Sequence, residues 1–238
     1  FMSEPDETRN GRVDMLSRGK VLGGSSSING VIYARGNRGD YDGWRDNGNP
    51  GWDYDSLLPY FRRVERDHSN LSDDYGKSGP VAISELRGVP KMTKVFLDAM
   101  SEIGVSTNRR YNTEPCEGAS IAHVTHWNGL RSSTATGYLD PIKKRRNLTV
   151  FQHAHAKRLV LEGNRAIGIE FQHKGAIRLA RAHHEVILSA STFNSPKLLM
   201  LAGIGPANQL KEIGISSLVD LPGVGKNLQD HPVAAVKA

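Results

Sequence analysis

The sequence predicts an α/β fold of mixed α+β character, in which a nucleotide-binding core is interrupted by material from a second domain. Three observations carry this expectation. Residues 18–30 read RGKVLGGSSSING, an apolar run followed by two adjacent glycines, three hydroxyls and an Asn-Gly pair. Paired glycines let a backbone pass close to a ligand, because no Cβ stands between them. The hydrophobic period is helical ahead of Leu148 and strand-like after it. Residues 185–190, EVILSA, form a mostly apolar run of the kind that marks a strand covered on both faces.

Taken in order, residues 1–17 are polar and turn-rich. After the glycine pair, the hydroxyls suit a helix start, where unpaired N–H groups and the dipole attract an anion such as a phosphate. A short buried helix is predicted over residues 26–34, and a glycine- and charge-rich loop over 35–49. Asp55 is the predicted N-cap of the next helix, with Pro59 in its tolerant first turn and Leu57, Phe61 and Val64 on one face. Residues 92–103 repeat the helical spacing through Val95, Phe96, Ala99, Met100 and Ile103, and Gly104 supplies the stop.

Residues 148–152 then read as a strand. Three short runs follow, at 156–161, 166–171 and 176–180, separated by Gly163-Asn164 and Lys174-Gly175; this is the signal of a three-stranded meander. Beyond the apolar strand at 185–190, Ser195 and Pro196 are predicted to open a helix as N-cap and first residue, with Gly203 closing it. A last short helix covers 206–213 and ends at Gly214.

Composition narrows the function classes. With 238 residues, 38% of them hydrophobic, the chain can bury a core of one or two domains. No apolar run approaches the length of a membrane span. A single cysteine, Cys116, excludes an internal disulfide and is compatible with a reducing, cytoplasmic compartment. The net charge of +6 includes the run Lys143-Lys144-Arg145-Arg146, but no aromatics interleave with it. It therefore reads as a solvated loop and not as a nucleic-acid surface. His153 and His155 lack a third ligand, so no metal site is assigned. Asp230 and His231 are sequence neighbours, whose side chains generally point apart, and no acid–base pair is assigned to them.

Three segments in order resemble one family. Residues 18–44 are similar to the first signature of the glucose–methanol–choline (GMC) oxidoreductases, residues 191–206 (STFNSPKLLMLAGIGP) to the second, and residues 221–232 (LPGVGKNLQDHP) to a further family segment. Residues 112–139 look similar to the same family. The resemblance implies an FAD-binding, Rossmann-like domain, here partial, assembled from residues 1–52 and 128–238. Residues 53–127 would then be an inserted substrate-domain segment. It implies oxidation of the CH–OH group of a small-molecule alcohol, with the electron acceptor unassigned.

Carried over by position, the cofactor contacts implied by the first signature are Val21, Gly24, Ser25, Asn29, Gly30, Val31 and Ile32. Asn29 is the most informative side chain, since an amide both donates and accepts. Ala156 stands where the family's strand meets the adenine through its main chain. Ile28 occupies a position where some members carry a histidine bonded to the flavin, so the FAD is expected to be noncovalent. The second signature departs from the family at Ser191, where glycine is common, and at Ala202, where serine is usual. No Gly-x-Gly-x-x-Gly pattern is present. No histidine matches the family's catalytic one, which the resemblance places C-terminal to Ala238. No catalytic residue is therefore assigned, and the chain reads as an internal fragment of a longer enzyme. The alternative is a truncated noncatalytic remnant or a partner-dependent module.

Overall fold

A computed structural model describes residues 1–113 and 115–230. His231 and Pro232, the end of the third family-like segment, lie outside them. The chain divides into two compact units, Phe1–Thr149 and Val150–Ala238.

In the first unit, residues 1–16 double back, with Ser3 N donating to Asp14 O at 3.0 Å and Leu16 N to Phe1 O at 2.8 Å. A single 3-10 turn, Gly24–Ser27, follows the glycine pair. The helix predicted over 26–34 does not form. Ile28 lies at φ −128° and Val31 at φ +57°, both outside the helical basin, and Ile32 bridges to Val124 instead. Three β-branched residues and Gly30 give this stretch little helical preference, and a partner strand decides for extension.

Where a loop was predicted, helix α1 forms over Arg38–Asp46. Gly39 and Gly43 conceal it from propensity, but Asn37 and Asp40 make a reciprocal capping box. Its Tyr41 packs on the next helix, with ring centroids 5.5 Å from Phe61 and 6.2 Å from Tyr54. That helix, α2, spans Tyr54–Val64. Its cap is Asp53, whose Oδ1 accepts from Ser56 N at 3.0 Å, and not the predicted Asp55. Asp55 pairs instead with Arg38 through bonds of 2.7 and 2.9 Å. Pro59 consequently sits in the second turn rather than the first.

Strand β1 (Glu65–Asp67) runs parallel to β2 (Val81–Glu85). Helix α3, Lys91–Glu102, lies within one residue of its predicted bounds, and Gly104 follows it. β2 pairs antiparallel with β3, His123–Val124. Leu71, Tyr75 and Ile83 form a buried cluster against which Tyr33 packs. β4 (His126–Trp127) and β5 (Leu130–Arg131) make a tight hairpin. Its tip residues, Asn128 and Gly129, both have positive φ, as a two-residue type I′ turn requires.

A buried polar network ties these elements together. Arg35 Nη2 meets Glu65 Oε2 at 2.6 Å with both side chains fully buried. His123, 1% exposed, has its Nδ1 3.0 Å from Tyr75 Oη, while its Nε2 is buried without a partner among the described residues. Burial holds the imidazole below its ordinary pKa of 6.5. The unfolded chain therefore takes up this proton first as pH falls, so the stability from neutral His123 is intact above about pH 6.5 and declines below it. Denaturation series at pH 7 and pH 5 are expected to show a smaller loss for His123→Gln than for the unsubstituted protein.

In the second unit, β6 (Ala154–Glu162), β7 (Arg165–His173) and β8 (Ala176–Arg181) form the predicted antiparallel meander in that order. A register shift between Ala156 and Arg158 leaves Lys157 as the extra residue of a bulge. Helix α4 spans Ser191–Leu201 and starts four residues before the predicted Ser195 cap. Ser195 Oγ reaches back from inside the helix to accept from Ala190 N at 2.9 Å. β9 (Ile204–Gly205) is parallel to β10 (Val219–Asp220), with α5 (Ala207–Glu212) between them in sequence.

Neither 148–152 nor 185–190 is a strand. Both lack a strand partner among the described residues, and Ile187 is 77% exposed, the opposite of the covered strand expected there. An apolar run becomes a strand only when a neighbour takes its N–H and C=O groups.

Candidate functional site

The glycine-rich segment folds onto itself. A Cβ at Gly19 would lie 2.1 Å from Gly24 O, so the two ends of the loop touch backbone to backbone. Gly23 and Gly24 take φ of +85° and +54°, which reverses the chain between them. The three hydroxyls hold this shape. Ser25 Oγ accepts from Gly19 N at 3.1 Å, Ser27 Oγ donates to Leu22 O at 2.8 Å, and Ser26 Oγ donates to Gly23 O at 2.6 Å. Ser26 Oγ also accepts from Thr134 N at 2.9 Å, and Thr134 Oγ1 donates to Gly23 O at 3.1 Å.

The helix start expected here is not formed. A 3-10 turn of four residues is too short to build a helix dipole, and its hydroxyls are engaged with the loop's own backbone. Ser25 only accepts in its bond to Gly19, so that bond does not consume its proton.

Val21, Gly24, Ser25, Asn29, Gly30, Val31 and Ile32 thus lie on one continuous surface stretch, and none of them is buried. Val21 is 58% exposed, Ile28 50% and Ile32 65%. Val31 is held at its positive φ by Thr125, whose N and Oγ1 both donate to Val31 O, at 2.7 and 3.2 Å. Asn29 is exposed, but its side chain is fixed: Oδ1 accepts from Val31 N at 3.2 Å and from Arg131 Nη1 at 2.6 Å. The same guanidinium nitrogen donates to Ser26 O at 3.2 Å. In the sequence, Arg131 stands out only as part of a family-like stretch. Nothing local to position 131 announces a partner 102 residues away.

Ala156 belongs to the second unit. It pairs with Phe171 immediately before the bulge, on the strand that forms one edge of the meander. That edge has no strand beside it among the described residues, which leaves alternate main-chain groups without ladder partners. The second unit also holds a cavity of about 660 Å³ lined by α4, the residues that follow α5 and the third family-like segment, including Phe193, Lys197, Met200, Ile213, Lys226 and Leu228. None of the predicted cofactor contacts lines it.

At Ser191, the first residue of α4, φ is +82° and the hydroxyl is buried without a partner among the described residues. The family's common glycine would adopt this conformation freely, and serine does so at a cost of about 1–2 kcal/mol. Ala202, in place of the usual serine, is the C-cap of α4, and its N–H bonds back to Leu199 O and Met200 O. Among the described residues there is no group of three or more His, Cys, Asp or Glu suited to a metal, and no helix long and apolar enough to cross a membrane.

Comparison with known proteins adds the family context. The family described as GMC oxidoreductase matches residues 6–233. The chain is 45% identical to the oxygen-dependent choline dehydrogenase of Rhizobium meliloti (strain 1021) over 233 residues, 97% of this chain and 42% of the relative. It is 46% identical to the protein of the same description from Brucella anthropi, over 97% of this chain and 42% of that relative. Among solved structures, pyridoxine 4-oxidase from Mesorbium loti superimposes with a TM-score of 0.86 at 30% identity, covering 93% of this chain and 44% of that one. A formate oxidase from Aspergillus oryzae RIB40 gives a TM-score of 0.86 at 31% identity, covering 97% and 42%. The chain thus spans about two fifths of the length of the relatives it matches.

Proposed function

The chain belongs to the GMC oxidoreductase family, and from that premise we propose that it supplies part of the FAD site of an enzyme oxidising the CH–OH group of a small alcohol. Residues 1–52 and 128–238 serve the flavin side in this reading, and 53–127 the substrate side. The observation that carries it is the oriented amide of Asn29. Its oxygen is bound on two sides, and its NH₂ has no partner among the described residues, in a stretch where Val21, Ile28 and Ile32 are all exposed. Exposed branched side chains in the same stretch as a preset donor suit a flat, largely apolar ring that carries acceptor atoms.

Bound FAD would supply the hydride acceptor for the alcohol carbon. The chain's own part is positioning. Asn29 offers N–H donors, Val21 and Ile32 offer apolar surface, and the Gly19–Gly24 contact sets the depth of the loop. The main chain at Ala156 is assigned to the adenine. Ile28 has no nucleophilic atom, so the cofactor is held without a covalent bond.

The choline dehydrogenase relatives make a quaternary-ammonium alcohol the first substrate to try. Full-length protein purified with FAD is expected to show flavin absorbance that bleaches when choline is added without oxygen, and to release all its flavin on acid precipitation. Absence of the flavin band would sink the oxidoreductase reading in favour of a noncatalytic module. Flavin retained on the precipitate would sink only the noncovalent assignment.

A further inference from the structure

We propose that Arg131 is a positioning residue that fixes the side-chain amide of Asn29 as a pure hydrogen-bond donor toward the flavin. The inference rests on the FAD reading above and adds a second residue and a polarity to it. An exposed asparagine has two amide orientations of similar energy, and only its neighbours choose between them. Here both neighbours are donors. A guanidinium has no acceptor atom, and neither has the Val31 N–H, so the atom they share must be the amide oxygen. The NH₂ is thereby turned away from them, and Asn29 faces a ligand with two donors and no acceptor. The ligand atom it meets is therefore a carbonyl oxygen or an unprotonated ring nitrogen, not an N–H.

Arg131 is well placed to hold that choice. It lies on β5 of the tight Asn128-Gly129 hairpin, and Nη1 is anchored a second time by Ser26 O at 3.2 Å. The adjacent Thr134 fastens the same glycine loop through Ser26 and Gly23. The bond to Asn29, at 2.6 Å, is charge-assisted; it draws electron density toward the amide oxygen and makes the N–H groups on the far side better donors.

The test compares FAD affinity and the flavin absorption spectrum in the full-length protein and in Asn29→Ala, Arg131→Ala and the double variant. Arg131→Ala is expected to weaken FAD binding about tenfold, near 1.4 kcal/mol, and to shift the flavin bands. In the Asn29→Ala background the same substitution is expected to change neither, because Arg131 acts through that amide. Equal losses in both backgrounds, or no spectral shift in the single variant, overturn the proposal.

Two further variants guard against a folding defect. Asn29→Asp keeps both acceptor bonds and the contact to Arg131 but has no N–H, so it is expected to bind FAD as poorly as Asn29→Ala; affinity equal to the unsubstituted protein overturns the proposal. Arg131→Lys keeps a charged donor and is expected to recover most of the affinity lost in Arg131→Ala; no recovery counts against the proposal. If the unsubstituted full-length protein binds no FAD, the functional reading itself falls. Binding by that protein with additive variants removes only the role given to Arg131.

Discussion

Glu65→Ala is expected to cost about 3–5 kcal/mol of stability, the range for breaking a buried ion pair by removing one partner. The Glu65 carboxylate accepts four hydrogen bonds: from Arg35 Nε at 2.7 Å, Arg35 Nη2 at 2.6 Å, Tyr33 Oη at 2.5 Å and Gly76 N at 2.9 Å. Its removal leaves a guanidinium in a fully buried place with no counter-charge. Burial, reinforced by the carboxylate, pushes the Tyr33 phenol well above its ordinary pKa, so Tyr33 remains a donor that has lost its acceptor. Urea denaturation of the full-length protein measures the loss. Glu65→Gln, which keeps the shape and one acceptor oxygen, is expected to fall between alanine and the unsubstituted protein. Adding Arg35→Met to Glu65→Ala is expected to recover part of the loss, because no orphan charge then remains. A Glu65→Ala loss below 1 kcal/mol would show that water reaches the pair.

Gly19→Ala is expected to disable the candidate cofactor wall while leaving most of the fold in place. The new Cβ would meet Gly24 O at 2.1 Å, Gly24 C at 2.3 Å and Ser25 N at 2.7 Å, all of them backbone atoms that cannot rotate aside. Ser25 would also lose its bond to Gly19 N as the two ends separate. Overpacking of this kind costs about 1–3 kcal/mol, and a clash with backbone belongs at the upper end. If the closed loop is the form that binds FAD, that cost appears as roughly 100-fold weaker binding. FAD titration paired with circular dichroism separates a local effect from global unfolding. Undiminished affinity with a native spectrum would remove the Gly19–Gly24 contact from the cofactor wall.

Much of the architecture is legible in short windows. The meander declares itself by alternating runs and by Lys174-Gly175, whose two positive φ values match a two-residue hairpin turn. Helix α3 is set by apolar spacing and Gly104. Yet that same spacing does not tell which face is covered, and Val95 and Phe96 are more than half exposed. Helix α1 escapes notice because two glycines lower its propensity, while its support comes from a capping box and from aromatic rings on a different helix. The runs at 148–152 and 185–190 mislead in the opposite direction, since apolar character alone does not provide a neighbouring strand.

By itself the sequence determined the family, through three motifs in order, and the elements that short windows declare, the β6–β8 meander and helix α3 among them. It also determined that Ile28 offers no atom for a flavin bond. The tertiary structure alone decided how the Arg18–Gly30 stretch is held. Its serines bind their own loop, Thr134 fastens it from more than a hundred residues away, and Arg131 turns the Asn29 amide in a single direction. Motif and periodicity record which groups are present. Which of them are already engaged depends on partners that only chain folding brings within about 3 Å.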